Sequence, residues 1–497
     1  MRRFVLRRCN THETKRLTGR KKESVLVSTA TLVERPQPLY QALLQQQGRA
    51  AGRAIPTPIP IPIPHPLPVV GSRFLIWKQD PSVDPPGLRL SYVPSLVLDG
   101  PRDSRIATEL PNVTPVHANT NRDFIFAPGT PEADCAHTFA VVRETLAMYQ
   151  RIRGGAAIPW AWNIGGNADP ITAFPRAGVT ANAFYSRGLK ALKFFYFTPA
   201  NATQPVYTCH SLDIVSHECG HAVLDGLKPG WLGATNPPQT GGLHESFGDL
   251  TAIFLACSQL DQVDAAVAMT KANLHDRNFL AALAEQFGAA LGSPQGLRNA
   301  DNDLKLSQVG NEVHAISQVF TGAMYHVLAD IFAFEKNRQA AVKDPTRVLL
   351  EVASCLCKLL VEAIVKAPPV GATYADVVNQ MLAISKAQGD PAIYRTFLRN
   401  RFTEREVVVS PVPLTAMAEG RMNLADPNYT EGQDLVKMEA RKHAADQAPQ
   451  DRSACCGTMQ LPEYMLGDQK KLEKGVVIVE EDMIAAEVAE LKKMFAR

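Results

Sequence analysis

The chain has 497 residues, 45% of them hydrophobic, enough apolar material for more than one core. Its 52 basic and 49 acidic residues leave a formal charge of +3, too even a balance to point to nucleic acid. No run reaches the roughly 18 apolar residues that a membrane span needs, and nine cysteines without regular spacing suggest neither a disulfide framework nor a four-cysteine zinc site.

The first 35 residues carry ten Lys or Arg against three acids and read as a solvated basic tail. They contain no evident secretory signal, so the cytoplasm is the expected compartment, with export by a non-standard route or a mis-assigned start as the alternative. Ile55 to Pro68 alternates proline with Ile, Thr, His and Leu, which forbids helix and favours extended polyproline II. Residues 1–72 therefore read as an N-terminal extension.

From Arg73 to Phe126, short apolar runs between Pro, Gly and Asp predict strands and turns. Pro131 to Arg153 has Ala136, Phe139, Val142, Leu146, Tyr149 and Ile152 at helical spacing. Residues 154–210 return to turns and aromatic runs and predict strands flanking a cleft. Among them Asn182-Ala183-Phe184-Tyr185 reads as an edge strand able to pair with an extended peptide.

Ser211 then offers an N-cap, Asp213 suits the first turn, and Gly226 with Pro229 closes a helix. This helix carries His217-Glu218-Cys219-Gly220-His221. Histidines four apart share one helix face and can bind one metal ion, and the glutamate beside the first can act as a general base on water. Gly220 costs the helix about 1 kcal/mol against alanine, so close packing is expected there.

A second helix is predicted from Leu243 to Leu260. Glu245 follows His221 by 24 residues, a helix-turn-helix distance that can return a carboxylate as third zinc ligand. Asp249, one turn further on, can accept the other ring N–H of a ligand histidine. Helices are then expected over Val263–His275, Arg277–Leu291, Asn311–Phe334, Thr346–Lys366, Tyr374–Gln388 and Pro391–Arg401. His314, near the start of the longest, is placed to stabilise a charged transition state. Residues 73–226 thus read as a β-rich lobe ending in the metal helix and 227–405 as a helical lobe. Residues 406–497 read as a polar extension with a terminal helix from Glu480.

With these pieces assembled, residues 120–405 resemble the thermolysin-like gluzincin metalloproteases. LDIVSHECGHAV is similar to the zinc helix, GGLHESFGDLTAIF to the third-ligand helix, NEVHAIS to the segment of the catalytic histidine, ANAFY to the substrate-binding strand and GLRNADND to the segment of a substrate-binding arginine. The resemblance implies an α+β, two-lobe zinc endopeptidase acting on a peptide or protein substrate. Zinc would be held by His217, His221 and Glu245, with Asp249 and Asp213 behind the ligands. Glu218 would be the base, His314 the oxyanion donor, and Asn182, Ala183 and Arg298 the substrate-binding residues. It implies a bulky apolar side chain just after the cut, with Ile214 and Leu297 near its pocket. The chain departs from the pattern at three points. No tyrosine lies between Gly226 and Glu245, Val309 and Gly310 replace an acid that orients the catalytic histidine, and Ala256 replaces a calcium-binding acid, so calcium is doubtful here. Glu312 or Asn311 could orient His314 instead. The alternatives are a gluzincin exopeptidase and a catalytically altered zinc-binding scaffold; the oligomeric state is not legible.

Overall fold

Prolines and glycines cut the first part of the molecule into short strands, and long apolar periodicities make the second part helical. The computed structural model describes residues 71–407 apart from 84–86, 111–114, 200–201, 234–235 and 294–295. Residues 1–70 of the expected N-terminal extension, with the proline-rich stretch, and the expected helix from Glu480 lie outside the described residues, and Ser72 already belongs to the first strand. The described residues are α+β: small sheets followed by a helical array. Among them no single helix is long and apolar enough to cross a membrane.

A hairpin of β1 (Ser72–Trp77) and β2 (Leu88–Val93) pairs Leu75 with Leu90 and turns Phe74 and Ile76 inward onto helix α1 (Pro131–Ile152). Thr130 caps α1 by accepting from the Ala133 amide, and Pro131 opens it where a missing N–H costs nothing. A four-stranded sheet has the order β3 (Ile106–Thr108), β4 (Ile171–Phe174), β6 (Ala191–Phe194), β5 (Ala183–Ser186). Its first three strands are parallel, and β5 is an antiparallel edge strand. A small ribbon, β7 (Tyr196–Phe197) with β8 (Val206–Tyr207), leads into helix α2 (Leu212–Leu227).

Helix α3 (Pro238–Cys257) packs on α2, and the long α6 (Val313–Gln339) packs on α3, giving a central stack on which the other helices lie. These are α4 (Leu260–Thr270), α7 (Pro345–Lys366), α8 (Tyr374–Gln388) and α9 (Ala392–Glu404). Helix α3 begins five residues before the expected Leu243 because Pro238 opens it and its glycines are used: a Cβ on Gly242 would come within 2.8 Å of Ile316.

The continuous helix expected over Arg277–Leu291 is not formed. Asn278 Oδ1 takes the amides of Leu280 and Ala281, and Ala284 adopts a left-handed φ of 52° with its N–H given to Asp213. A side chain that captures backbone N–H groups offers the chain an alternative to helix. What results is β9 (Ala282–Leu283), a six-residue α5 (Glu285–Ala290) and the pairing of β9 with β10 (Arg298–Asn299), which fixes Arg298.

Candidate metal centre

Helix α2 is buried along almost its whole length, yet it carries Asp213, His217, Glu218, His221 and Asp225. Buried polar groups need partners. Asp225 has them: the Tyr185 hydroxyl donates at 2.6 Å and Arg187 Nε at 2.7 Å. The two histidines differ. One helical turn apart, their rings lie 4.6 Å between centroids and 87° apart in plane. Both Nε2 atoms turn towards Glu245 on α3.

His217 Nε2 stands 3.4 Å from Glu245 Oε2, and His221 Nε2 stands 3.6 Å from Glu245 Oε1. His217 Nε2, His221 Nε2 and Glu245 Oε2 are buried and have no hydrogen-bond partner among the described residues. Leaving one such group unpaired costs about 1–3 kcal/mol, so three together call for a shared occupant. Ligands at about 2.0–2.1 Å from a tetrahedral zinc lie about 3.3 Å apart along each edge. The observed spacings fit that cage, so zinc suits this donor set. Glu218, fully buried, brings a carboxylate oxygen to the same place: it and the ligand atoms of both histidines lie within 4.8 Å of one another.

Outer contacts aim the ligands. Asp249 Oδ1 lies 3.0 Å from His217 Nδ1 and accepts from Arg298 Nη2 at 2.7 Å. Burial works against charge on Asp249, but Arg298 and His217 prevail and hold its pKa below the ordinary carboxylate range. Burial likewise opposes charge on His217, yet Asp249 and Glu245 outweigh it and raise its pKa to about 9. His221 is pushed well below its ordinary value by burial, and the neighbouring His217 and His244 add to this.

His314 stands at the start of α6 with Nε2 3.3 Å from Glu245 Oε2 and Nδ1 2.7 Å from Glu312 Oε1. Burial lowers its pKa, but Glu245 and Glu312 raise it further, to about 10. The structure thus brings His217, Glu218, His221, Glu245, Asp249, Arg298 and His314 together. Asp213 goes elsewhere: its Oδ2 accepts from the Ala284 amide at 3.1 Å, and burial with nearby Asp80 and Glu285 raises its pKa well above normal. Asn182 Oδ1 accepts from the Ala183 amide at 2.8 Å, turned back on its own strand at the start of β5. Ile214, Leu297 and Ala256 are buried in the core.

Sequence reasoning missed His244. Its Nδ1 lies 2.8 Å from His221 Nδ1. Nothing in composition or period marks it; adjacency to Glu245 was the available hint.

Two other groups of possible ligands are built differently. His275 Nδ1 and His326 Nε2 each lie 2.8 Å from Asp301 Oδ1, a hydrogen-bond distance, and Arg405 Nη2 reaches His326 Nδ1 at 3.2 Å. A guanidinium only donates, so His326 Nδ1 accepts in that contact. In the other group Asp134 is taken by Arg176 at 2.7 Å and His210 at 2.8 Å, while burial keeps the Cys209 thiol protonated.

A scan against protein-family models finds no match for this chain, and a search of curated proteins finds none similar to it.

Proposed function

We propose that the chain is a zinc-dependent endopeptidase of the thermolysin-like gluzincin kind, with lobes at 73–226 and 227–405 and its active centre on α2. The observation that carries this reading is the convergence of buried ligand atoms without hydrogen bonds, His217 Nε2 and His221 Nε2 at 3.4 and 3.6 Å from the Glu245 carboxylate, with Glu218 and His314 beside them. His217, His221 and Glu245 would hold the ion. Zinc would supply Lewis acidity towards water and the scissile carbonyl.

The chain's own residues supply the rest. Glu218 takes a proton from water and returns it to the leaving amine. His314, its Nδ1 on Glu312, presents Nε2–H to the oxygen that gains charge as the carbonyl becomes tetrahedral. A donor there stands in for the phenol absent between Gly226 and Glu245. Asp249 and Arg298 form a buried pair that keeps His217 in register. The edge of β5 is the natural place for a substrate backbone to add as a strand. Cleavage before bulky apolar residues is the expected preference.

Metal analysis with a quenched-fluorescence peptide library tests the reading. One zinc per chain with cleavage inside peptides, and Glu218→Gln losing cleavage while keeping zinc, is the expected result. Zinc without turnover would favour a scaffold, trimming from a free terminus an exopeptidase, and no zinc would overturn the proposal.

A further inference from the structure

Helix α3 does more than deliver Glu245. Asp249, on the same helix, faces Nδ1 of His217, and His244 faces Nδ1 of His221. One rigid element therefore carries the third ligand and a partner for each of the other two. The partners differ in kind: one is a carboxylate held by Arg298, the other an imidazole ring buried as deeply as the ligand it meets.

Resting on the zinc reading above, we infer that His244 is a positioning residue that fixes the tautomer and ring plane of His221. Two Nδ1 atoms at 2.8 Å can share only one proton. For His221 to offer Nε2 as a lone-pair donor, its proton must lie on Nδ1, so His244 Nδ1 is the acceptor. The rings are tilted by 31° with centroids 4.9 Å apart, so rotating His221 away from Glu245 would break the bond. An imidazole nitrogen is a more basic acceptor than an amide carbonyl, so it leaves more electron density on His221. Partners of this kind are worth about 10–100-fold in metal affinity.

The test uses the full chain with His244→Leu, which removes the acceptor, and His244→Asn, whose amide oxygen restores one. Zinc affinity is read by competition with a chromophoric chelator, and ring geometry by the visible spectrum of the cobalt-loaded chain. The Leu variant is expected to weaken zinc by about 10–100-fold and to alter the cobalt bands, whereas Asn recovers most of both. Should the Leu variant not fold, His244→Phe, similar in shape and without an acceptor, is read in the same way. Unchanged zinc affinity in the acceptor-free variant, or an Asn variant as weak as it while folded, would overturn the role of His244. Wild-type chain that binds no zinc at all would instead overturn the metal reading itself.

Discussion

Glu312 accepts from His314 Nδ1 at 2.7 Å and from the Ala315 amide at 2.8 Å, so one carboxylate both aims His314, the proposed oxyanion donor, and caps α6. Burial pushes its pKa up, but His314 and the backbone N–H groups overcome this and bring it to about 2. Replacing Glu312 with Ala should lower kcat by roughly 100-fold, the low end of what a positioned proton donor contributes, and cost about 1 kcal/mol through the lost cap. Zinc content should not change. Steady-state kinetics beside metal analysis checks this, and wild-type kcat in the folded variant would show that His314 needs no such partner. Glu312 was legible in the sequence because it lies two residues from the histidine it serves. His244 was not: it meets His221, 23 positions away, only because α3 crosses α2 at that height, and crossing height is a property of packing that no local pattern records.

At the scale of elements, the centre depends on how closely α2 and α3 approach. A Cβ on Gly220 would stand 2.5 Å from Thr251 Oγ1 and 3.2 Å from Gly248 Cα, while a Cβ on Gly248 would stand 2.6 Å from His217 Cε1. The unexplained glycine in the histidine helix was a readable sign of this contact; Gly248 was hidden in the periodicity of α3. Gly248→Ala gains roughly 1 kcal/mol in helix propensity but forces the His217 ring away from Glu245 and Asp249. Zinc affinity should fall at least about 10-fold, as when an orienting partner of a ligand is lost, and chelator competition measures it. An alanine variant that binds zinc as tightly as wild type would show that the ring has room to shift. The element least legible beforehand, Arg277–Leu291, failed because Asn278 and Asp213 each capture backbone N–H groups, and the second of these lies far away in sequence.

Across the whole molecule, polar pairs and the proposed metal centre tie distant segments together. Asp301 joins His275 to His326 on α6; burial raises its pKa, but the two imidazoles outweigh it and lower it to about 2. Since the folded value lies below the unfolded one near 3.9, this carboxylate stabilises fully above that pH. The contribution, of order 2 kcal/mol, is lost as pH falls towards about 2. The stability gap between wild type and Asp301→Asn in urea should therefore be wider at pH ~5 than at pH ~3, and a constant gap would contradict the assignment. A metal held between His217, His221 and Glu245 would couple more of the fold, because those side chains come from α2 and α3 and α6 brings His314 against Glu245. Without an ion, buried ligand atoms that lack hydrogen bonds each cost about 1–3 kcal/mol; with zinc at about 1,000 times its dissociation constant, binding adds about 4.1 kcal/mol to the folded state. Calorimetric scans with and without a strong chelator should show the wild-type chain melting several degrees lower once stripped. The same comparison on Glu245→Ala, which lacks the third ligand, should show little shift. Equal melting temperatures for stripped and loaded wild type would mean that these three atoms do not share an ion.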